Sequence, residues 1–308
     1  MSVKIGTRGS ALAMAQTDRV CQMLKRRNIR VEVVVISTEG DTVTGVPLHE
    51  IGGQGVFVRA LDNAILNGEI DAAVHSMKDI PAARPPGVLT SAILKRDSPA
   101  DFLAYCGNLQ DVHVVGTSST RRKAQLLRHD PLLEIKELRG NVDTRLRKLD
   151  AGEYDAIVLA EAGIERLSLA ISGERLPPHI FVPSANQGTI AVVGRDDPSI
   201  TEVMSMIDHP PTRSDVAIER AVMEQVGGGC FTPLGIFCEE GHLIAEVLSL
   251  DGKRCVRIED DVAGIDQARE RGRELRLTAR ELIREAYQLL GIREERQWTS
   301  FPGAGDQK

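Results

Sequence analysis

Short apolar segments alternate with helical segments over the first two thirds of the sequence, and this alternation limits the choice of folds more than any other feature. Strand-like runs occur at residues 3–7, 31–38, 71–75, 112–117, 132–138, 155–160 and 189–194. Helical patterns lie between them, at 11–26, 57–67, 121–128 and 142–151. Such an alternation predicts α/β layers with largely parallel strand pairing.

The last third of the sequence has a different pattern, which predicts a separate α+β domain. We expect Ser214 to cap a helix that runs through Val226. Two β-like runs, at 243–250 and 254–258, are joined by an Asp-Gly turn signal. An apolar stripe then predicts one long helix over 266–290.

Two strand–helix junctions have similar sequences. GTRGS (6–10) and GTSST (116–120) each follow a predicted strand and open a helix, and both helices then carry an Ala-Gln pair. Hydroxyl groups and free backbone N–H groups at helix starts attract anions. We therefore expect two similar lobes, each with an anion-binding helix start, to face each other across a cleft.

A dense positive segment lies at residues 121–148, which hold nine basic and four acidic residues in a chain of net charge −6. Four of its arginines lie at strand–helix junctions that contain Ser or Gly: Arg121, Arg122, Arg139 and Arg145. The planar guanidinium group pairs in bidentate fashion with carboxylate or phosphate, and a cleft strengthens the attraction. We predict that these four bind a polyanionic small molecule rather than form a solvated helix face.

The segment HSMKDIP (75–81) lies at the end of a predicted strand. Residues at strand ends in α/β folds face the ligand crevice. Lys78 and Asp79 provide there a cation and a carboxylate that can accept and return a proton. Taken alone, a Lys-Asp pair in a turn is more often structural, and His75 is more often a core residue than a ligand. No second histidine stands at metal-ligand spacing, so no metal is predicted.

Cys230 follows three glycines, which predict a flexible loop that can approach a ligand closely. A cysteine in such a loop is a candidate reactive thiol, although an inert thiol is an equally common interpretation. The other four cysteines are predicted to be small apolar core residues. Because five is an odd number and no pair has C-x-x-C spacing, we expect neither disulfides nor a zinc site.

Taken together, these segments resemble the porphobilinogen deaminase (hydroxymethylbilane synthase) family over nearly the whole chain. The matching motifs are GTRGS (6–10) with Gln16, IGGQGVFV (51–58), AVHSMKDIP (73–81), GTSSTRR (116–122), RGNV (139–142) with Arg145, LAEAGIERL (159–167), ERA (219–221), GGC (228–230) and PLG (233–235). No single motif is sufficient, but their common order makes chance an implausible explanation.

The resemblance implies an α/β fold with two periplasmic-binding-protein-like lobes of mixed sheets and a smaller α+β C-terminal domain. The expected domains are 1–95 together with 188–207, then 98–183, and then 210–308. The implied activity is that of a transferase. It adds four porphobilinogen molecules stepwise, with loss of ammonia, to a dipyrromethane cofactor, and water then releases hydroxymethylbilane. Uroporphyrinogen-III synthase is the implied next enzyme, and a monomer is the implied state.

The resemblance also implies roles for individual residues. Cys230 holds dipyrromethane through a thioether, and Asp79 is the catalytic carboxylate with Lys78 beside it. The other residues implied to hold the cofactor are Arg8, Ser10, Lys78, Asp79, Thr117, Ser119, Arg121, Arg122, Arg139 and Gly140. Those implied to bind substrate are Arg8, Gln16, Phe57, Arg139, Arg145, Arg166 and Gln187. Because each pyrrole carries an acetate and a propionate, these arginines offset the negative charge of a lengthening chain.

Three positions depart from the family pattern. Gln54 stands where many members have lysine, and Glu50 stands where some members are basic. The common glutamate before Arg195 is absent. These differences bear on substrate affinity and on the hinge, whereas Asp79 and Cys230 are retained.

The composition argues against several other functions. A net charge of −6 and an aromatic content of 3% disfavour a nucleic-acid binder built on residues 121–148. No apolar run approaches the roughly 20 residues of a membrane span, and the N-terminus lacks a signal-peptide pattern, so we expect a cytoplasmic protein. The remaining alternative is a non-catalytic, two-lobed binder of a carboxylate-rich small molecule, which would give no role to Asp79 or Cys230.

Overall fold

The computed structural model describes residues 2–37, 56–81, 84–227 and 231–291, with only the backbone at residues 56 and 57. The strands are β1 (Ser2–Thr7), β2 (Arg30–Val35), β3 (Ala72–Ser76), β4 (Val88–Ile93), β5 (Asp101–Tyr105), β6 (Val114–Gly116), β7 (Glu134–Lys136), β8 (Ala156–Ala160), β9 (Gly173–Leu176), β10 (Ile190–Arg195), β11 (Leu234–Glu239), β12 (His242–Leu248) and β13 (Cys255–Asp261). The α-helices are α1 (Ala11–Lys25), α2 (Val56–Leu66), α3 (Thr120–His129), α4 (Val142–Asp150), α5 (Glu161–Arg166), α6 (Pro198–Ser205), α7 (Pro210–Val226), α8 (Ile265–Thr278) and α9 (Arg280–Leu289).

Lobe 1 is built on a five-stranded sheet of order β2-β1-β3-β10-β4. β1 pairs in parallel with β2 and β3, whereas β10 is antiparallel to β3 and β4. Alternate residues of a strand point to opposite faces of the sheet. Val74 and Val192 therefore enter one apolar cluster, and Ala73 and Val193 enter the other. Both faces of this sheet are buried.

Lobe 2 repeats the same arrangement in a second sheet, of order β7-β6-β8-β5-β9. β6 pairs in parallel with β7 and β8, and β5 is antiparallel to β8 and β9. The prediction of two similar lobes, made from the repeated junction sequence, is confirmed. Largely parallel pairing is wrong for β5 and β10. Each of them enters its sheet from the opposite lobe, without the crossover helix that a parallel neighbour needs.

The two segments that cross between the lobes touch at Asp97 and Gly188. The amide of Asp97 donates to the carbonyl oxygen of Gly188 at 3.0 Å. Gly188 has a φ of +82°, and a Cβ there would lie 2.6 Å from the carbonyl oxygen of Ser98. Both facts require glycine at this position. Backbone contacts therefore hold the two crossing segments together, and we call this crossing the hinge.

A buried ion pair joins this hinge to the third domain. Nη1 of Arg96 lies 2.6 Å from Oε1 of Glu219, a carboxylate on α7 that is fully buried. Glu219 also accepts from the amides of Asn186, at 2.5 Å, and Cys238, at 2.8 Å. Burial raises the pKa of Glu219, and Arg96 opposes that rise. One carboxylate thus holds both crossing segments against the third domain.

We expect Arg96→Met to lower the free energy of unfolding by about 3–5 kcal/mol, because it leaves the Glu219 carboxylate buried without its cation. Urea unfolding followed by circular dichroism measures the change. Arg195→Met is the matched control, since its pair with Asp71 is partly exposed and is expected to contribute about 1 kcal/mol or less. Equal losses in the two variants would contradict the role given to Arg96.

The third domain packs α7, α8 and α9 against the antiparallel sheet β11-β12-β13. The predicted N-cap at Ser214 is wrong. α7 begins at Pro210, and Nδ1 of His209 accepts from the amide of Thr212 at 3.3 Å. Proline at the first helical position favours this earlier start.

The single long helix predicted over 266–290 is also wrong, because the chain bends at Ala279. This residue has φ −91° and ψ 7° and separates α8 from α9. The hydroxyl of Thr278 donates to the carbonyl oxygen of Glu274 at 2.9 Å. Bonds of this kind bend helices. Within the described ranges, no helix has the length and apolar content to cross a bilayer.

Candidate active site

The turn that carries Lys78 and Asp79 projects from the end of β3 in lobe 1. Met77 is buried, its amide donates to the carbonyl oxygen of Thr189 at 2.9 Å, and its carbonyl accepts from the amide of Ile80 at 3.1 Å. Lys78 and Asp79 form the rest of this single 3-10 turn and are exposed. Backbone contacts therefore fix the turn and leave both charged side chains accessible.

The start of α1 lies beside this turn. Ser10 caps the helix, with its Oγ accepting from the amide of Ala13 at 3.3 Å. Gln16 is buried, and its Nε2 donates to Oγ of Ser76 at 2.8 Å, directly before the turn. The sequence prediction of Gln16 as a substrate ligand stays a prediction, because its amide nitrogen bonds within lobe 1.

His75 is a core residue, in line with its common structural interpretation. Burial, together with the charges of Arg84 and Arg8, lowers its pKa to about 3. The ring is therefore neutral at physiological pH.

The start of α3 in lobe 2 brings together hydroxyls and guanidinium groups. Oγ of Ser119 caps the helix by accepting from the amide of Arg122 at 3.4 Å, and Oγ1 of Thr117 accepts from the amide of Ser119 at 3.2 Å. The side chains of Arg121 and Arg122 are buried and both pair with Asp101, at 2.9 and 2.7 Å. The predicted anion-binding helix start is present, but its two arginines already have a carboxylate partner.

Charged groups of both lobes act on Lys78. Although Lys78 is accessible from the cleft, the protein around it desolvates its ammonium group and lowers its pKa to about 8. Arg122 and Arg121 lower it further, while Asp79 and Asp101 oppose the shift. Lys78 of lobe 1 is thus within electrostatic range of the arginines of lobe 2, and its role beside them stays a prediction.

Arg145, on α4, is the cation of the site best placed to receive an anion. Its Nε donates to the carbonyl oxygen of Gly140 at 2.8 Å. In the part of the chain that the structure describes, no carboxylate lies within ion-pair distance of it. Burial lowers its pKa to about 10, and the charge of Arg122 adds to this effect. A bound carboxylate would stabilise the charged form of this desolvated guanidinium group.

Two other predicted ligands sit in different surroundings. Arg139 is half exposed, with Nη2 3.3 Å from Oε2 of Glu137. Arg166 is buried at the hinge, where Nε lies 2.8 Å from Oδ2 of Asp97 and Nη2 donates to the carbonyl oxygen of Gly188. Arg139 is thus open to a ligand, whereas Arg166 is held by the hinge, and its contact with substrate stays a prediction.

Gln187 is also a hinge residue. It is buried, and its Nε2 donates to the carbonyl oxygens of Pro99 and Ala100 and, at 2.9 Å, to Oδ1 of Asp101. Its predicted role in substrate binding remains untested. The sequence analysis assigned no role to Asp97, in the crossing segment, or to Asp101, the first residue of β5.

Several predicted site residues lie outside the described residues: Cys230, the side chain of Phe57, and the departures Gln54 and Glu50. The other four cysteines are free, and burial raises the pKa of Cys21, Cys238 and Cys255. The predicted core position is wrong for Cys106, which is exposed, and holds only in part for the half-buried Cys255. Among residues 2–37, 56–81, 84–227 and 231–291, no three His, Cys, Asp or Glu side chains group as a metal site.

Two family models match the chain. The model described as porphobilinogen deaminase, dipyromethane cofactor binding domain, matches residues 3–202, and the one described as porphobilinogen deaminase, C-terminal domain, matches residues 214–281.

Curated relatives are similar over most of their length. A probable porphobilinogen deaminase of Methanosarcina acetivorans is 51% identical and covers 88% of this chain and 90% of that protein. The corresponding protein of Archaeoglobus fulgidus is 41% identical over 90% of this chain and 98% of its own. Porphobilinogen deaminase of Synechococcus elongatus is 40% identical over 85% and 86%. Among solved structures, the methionine binding protein MetQ overlaps 71% of this chain and 93% of its own, with a TM-score of 0.40 and 15% identity.

Proposed function

Because this chain belongs to the porphobilinogen deaminase family, we propose that it condenses four porphobilinogen molecules stepwise, with loss of ammonia, onto an enzyme-bound dipyrromethane. Water then releases the linear tetrapyrrole hydroxymethylbilane. The observation that carries this proposal is that Lys78, next to Asp79 on an exposed turn of lobe 1, lies within electrostatic range of Arg122 and Arg121 at the start of α3 in lobe 2. A carboxylate beside a wall of cations suits a substrate with a cationic reacting centre and anionic side groups.

The described residues suit a cofactor that carries carboxylates. The desolvated cation of Arg145, the half-exposed Arg139 and the hydroxyls at the start of α3 supply anion-binding groups on one side of the cleft. We assign the cofactor to the same residues that the family resemblance implies: Arg8, Ser10, Lys78, Asp79, Thr117, Ser119, Arg121, Arg122, Arg139 and Gly140.

We further assign Cys230 as the point of covalent attachment, through a thioether. Arg220 on α7 donates to the carbonyl oxygens of Ile80 and Pro81, at 3.2 and 2.9 Å, directly after Asp79. Since a helix rises 1.5 Å per residue, Gly227 lies roughly 10 Å along the axis from Arg220. The last described residue before Cys230 is thus seven residues from one that contacts the turn, which supports the assignment. When bound, dipyrromethane supplies the free pyrrole carbon to which the first porphobilinogen is joined.

We assign to Asp79 both proton transfer and stabilisation of the cationic intermediate during condensation. Loss of ammonia from porphobilinogen leaves a cationic methylene-pyrrolenine. The exposed carboxylate of Asp79 can hydrogen-bond a pyrrole N–H, stabilise that cation and accept the proton that condensation releases. Lys78, with a pKa of about 8, is mainly an ammonium group at pH 7 and can give a proton to the departing amine.

The proposal is tested with the purified native chain. We expect its intact mass to exceed the sequence mass by two linked pyrroles, and we expect it to consume porphobilinogen in a colour assay for pyrroles. A chain of unmodified mass that leaves porphobilinogen unchanged would instead favour the non-catalytic binder of a carboxylate-rich molecule.

We expect Arg145→Gln to raise the KM for porphobilinogen roughly 10–100-fold, because a charge-assisted hydrogen bond contributes about 1.5–3 kcal/mol. Initial rates over a range of substrate concentrations measure the change. Arg147→Gln is the matched control on the same helix, since Arg147 is exposed and its Nη2 bonds to Thr144. An unchanged KM in Arg145→Gln would remove this residue from the site.

The remaining assignments follow the family pattern and are also proposals. We place the domain limits at 1–95 with 188–207, at 98–183 and at 210–308, which the three separate sheets support. We propose a cytoplasmic monomer that passes its product to uroporphyrinogen-III synthase. Light scattering of the purified protein tests the monomer, and a dimer mass would contradict it.

A further inference from the structure

Asp101, the first residue of β5, is the buried carboxylate on which the charged groups of lobe 2 converge. Its side chain has no exposed area. Oδ2 lies 2.9 Å from Nη1 of Arg121. Oδ1 accepts from Nη2 and Nε of Arg122, at 2.7 and 3.2 Å, and from Nε2 of Gln187, at 2.9 Å. Asp101 therefore joins the start of α3 to the hinge.

These bonds fix the two arginines and offset one of their two positive charges. Arg121 also donates to the carbonyl oxygen of Val182, and Arg122 donates to that of Val158, both at 2.9 Å. Each guanidinium group is thus held from two directions. The arginines cannot turn freely toward a ligand, and they act on it as a positive wall of fixed position.

The negative charge of Asp101 also acts on the ammonium group of Lys78. The charges with the largest effects on its ammonium group are Asp79 on its own turn, Arg122 and Arg121 on α3, and Asp101 on β5. The two carboxylates favour the charged lysine, and the two arginines oppose it. Asp101 is the member of this set that touches both arginines.

We propose that Asp101 is a positioning residue of the condensation site, which fixes Arg121 and Arg122 and limits the positive charge that they present to Lys78 and to the polypyrrole carboxylates. This inference rests on the proposed function. A lengthening chain has to shift its carboxylates through the pocket after each addition. An uncompensated pair of buried arginines would hold every position more tightly, which lowers KM without accelerating the chemical step.

The test is Asp101→Asn, a change that removes the charge and nearly preserves the shape. We expect KM for porphobilinogen and kcat both to fall, because the added positive charge stabilises the bound substrate more than the transition state. We also expect Lys78 to lose its proton at a pH roughly one unit lower, since a nearby carboxylate that supports it is gone. The fall of kcat at alkaline pH, which follows Lys78, would move by the same amount.

The change in the pKa of Lys78 can also be measured without catalytic turnover. Acylation of Lys78 by an amine reagent, followed over pH by mass spectrometry of its peptide, reports the uncharged amine directly. If the native protein does not consume porphobilinogen, the proposed function fails. The labelling profile still decides whether Asp101 supports the Lys78 ammonium.

Asp97→Asn is the matched control. Asp97 is a mostly buried hinge aspartate that likewise pairs with two arginines, Arg19 and Arg166, but its charge is not among those with the largest effects on Lys78. We expect Lys78 to become labelled at the same pH in Asp97→Asn as in the native protein. Equal shifts in the two variants would overturn the proposal, as would a native profile in Asp101→Asn.

A double variant covers the case in which Asp101→Asn fails to fold with two unpaired buried cations. Asp101→Asn with Arg122→Met removes one charge of each sign, and replacing a buried ion pair by an apolar group is often tolerated. The net charge beside Lys78 is then native. We expect its labelling profile to return to the native pH, and a shifted profile in the folded double variant would overturn the proposal.

Discussion

Asp79→Asn is expected to consume porphobilinogen roughly 10²–10⁴-fold more slowly than the native protein. The amide has nearly the shape of the carboxylate, but it neither takes up a proton nor holds negative charge beside a cationic intermediate. The fold is expected to tolerate the change, because Asp79 is exposed and its turn is held by backbone bonds. Loss of porphobilinogen at saturating concentration measures the rate, and circular dichroism checks the fold.

Asp111→Asn is the matched control for this variant. Asp111 also ends a single 3-10 turn, Leu109–Asp111, and is exposed, but that turn lies between β5 and β6, away from the end of β3. We expect its rate to stay within about twofold of the native rate, as for an ordinary surface substitution. If Asp79→Asn were equally active, Asp79 would have no place in the chemistry.

Patterns that are local in sequence predicted the fold class well. Strand–helix alternation and the similar junctions GTRGS (6–10) and GTSST (116–120) predicted two similar α/β lobes, and the two sheets have matching strand orders. The same patterns missed β4, β5, β9 and β11, whose residues do not carry a regular alternation. The predicted parallel pairing was also wrong for β10, because its direction depends on how the chain crosses between the lobes.

Element boundaries failed where one side chain competes with the periodic pattern. The apolar stripe over 266–290 is real, since Leu275, Leu282 and Ala286 are buried, but Leu289 is largely exposed. The stripe does not reveal the bend at Ala279, because that bend depends on a hydroxyl bond made one residue earlier. Periodicity reports which face is buried and says little about whether the axis is straight.

The residues of the candidate site likewise include some that the sequence predicted and some that it missed. Lys78, Asp79 and the arginines at the start of α3 were found because they stand at strand–helix junctions with a recognisable motif. Asp101 was missed because its partners Arg121 and Gln187 lie 20 and 86 residues away in the sequence. A single aspartate before an apolar run gives no sign of such contacts. Only the fold reveals that two arginines predicted to bind ligands share a buried carboxylate.

Arg166 and Gln187 have contacts at the hinge that the sequence did not predict. Both residues belong to family motifs, and both were predicted to bind substrate. In the structure their side chains hold the crossing segments together, through Asp97, Gly188 and Asp101. A motif identifies residues that matter, but the side-chain partners decide whether they act on a ligand or on the geometry of the lobes.

Cys230→Ser is expected to abolish both the covalent adduct and turnover. A serine hydroxyl is close in size to a thiol but is a far weaker nucleophile at neutral pH, so it does not form the thioether on which the condensation is built. We expect the intact mass of the variant to equal its sequence mass, with no colour in a pyrrole assay. We also expect its consumption of porphobilinogen to fall to the rate without enzyme.

Cys106→Ser separates this effect from a general loss of thiols. Cys106 is free and exposed in lobe 2, so a nonspecific adduct on an accessible cysteine would be lost there as well. We expect Cys106→Ser to keep the two-pyrrole mass and the native rate. An adduct that persists in Cys230→Ser and disappears in Cys106→Ser would move the attachment point to lobe 2. The cysteine loop after α7 would then have no part in the reaction, and the turn at Asp79 would have to serve a chain that grows from a different side of the cleft.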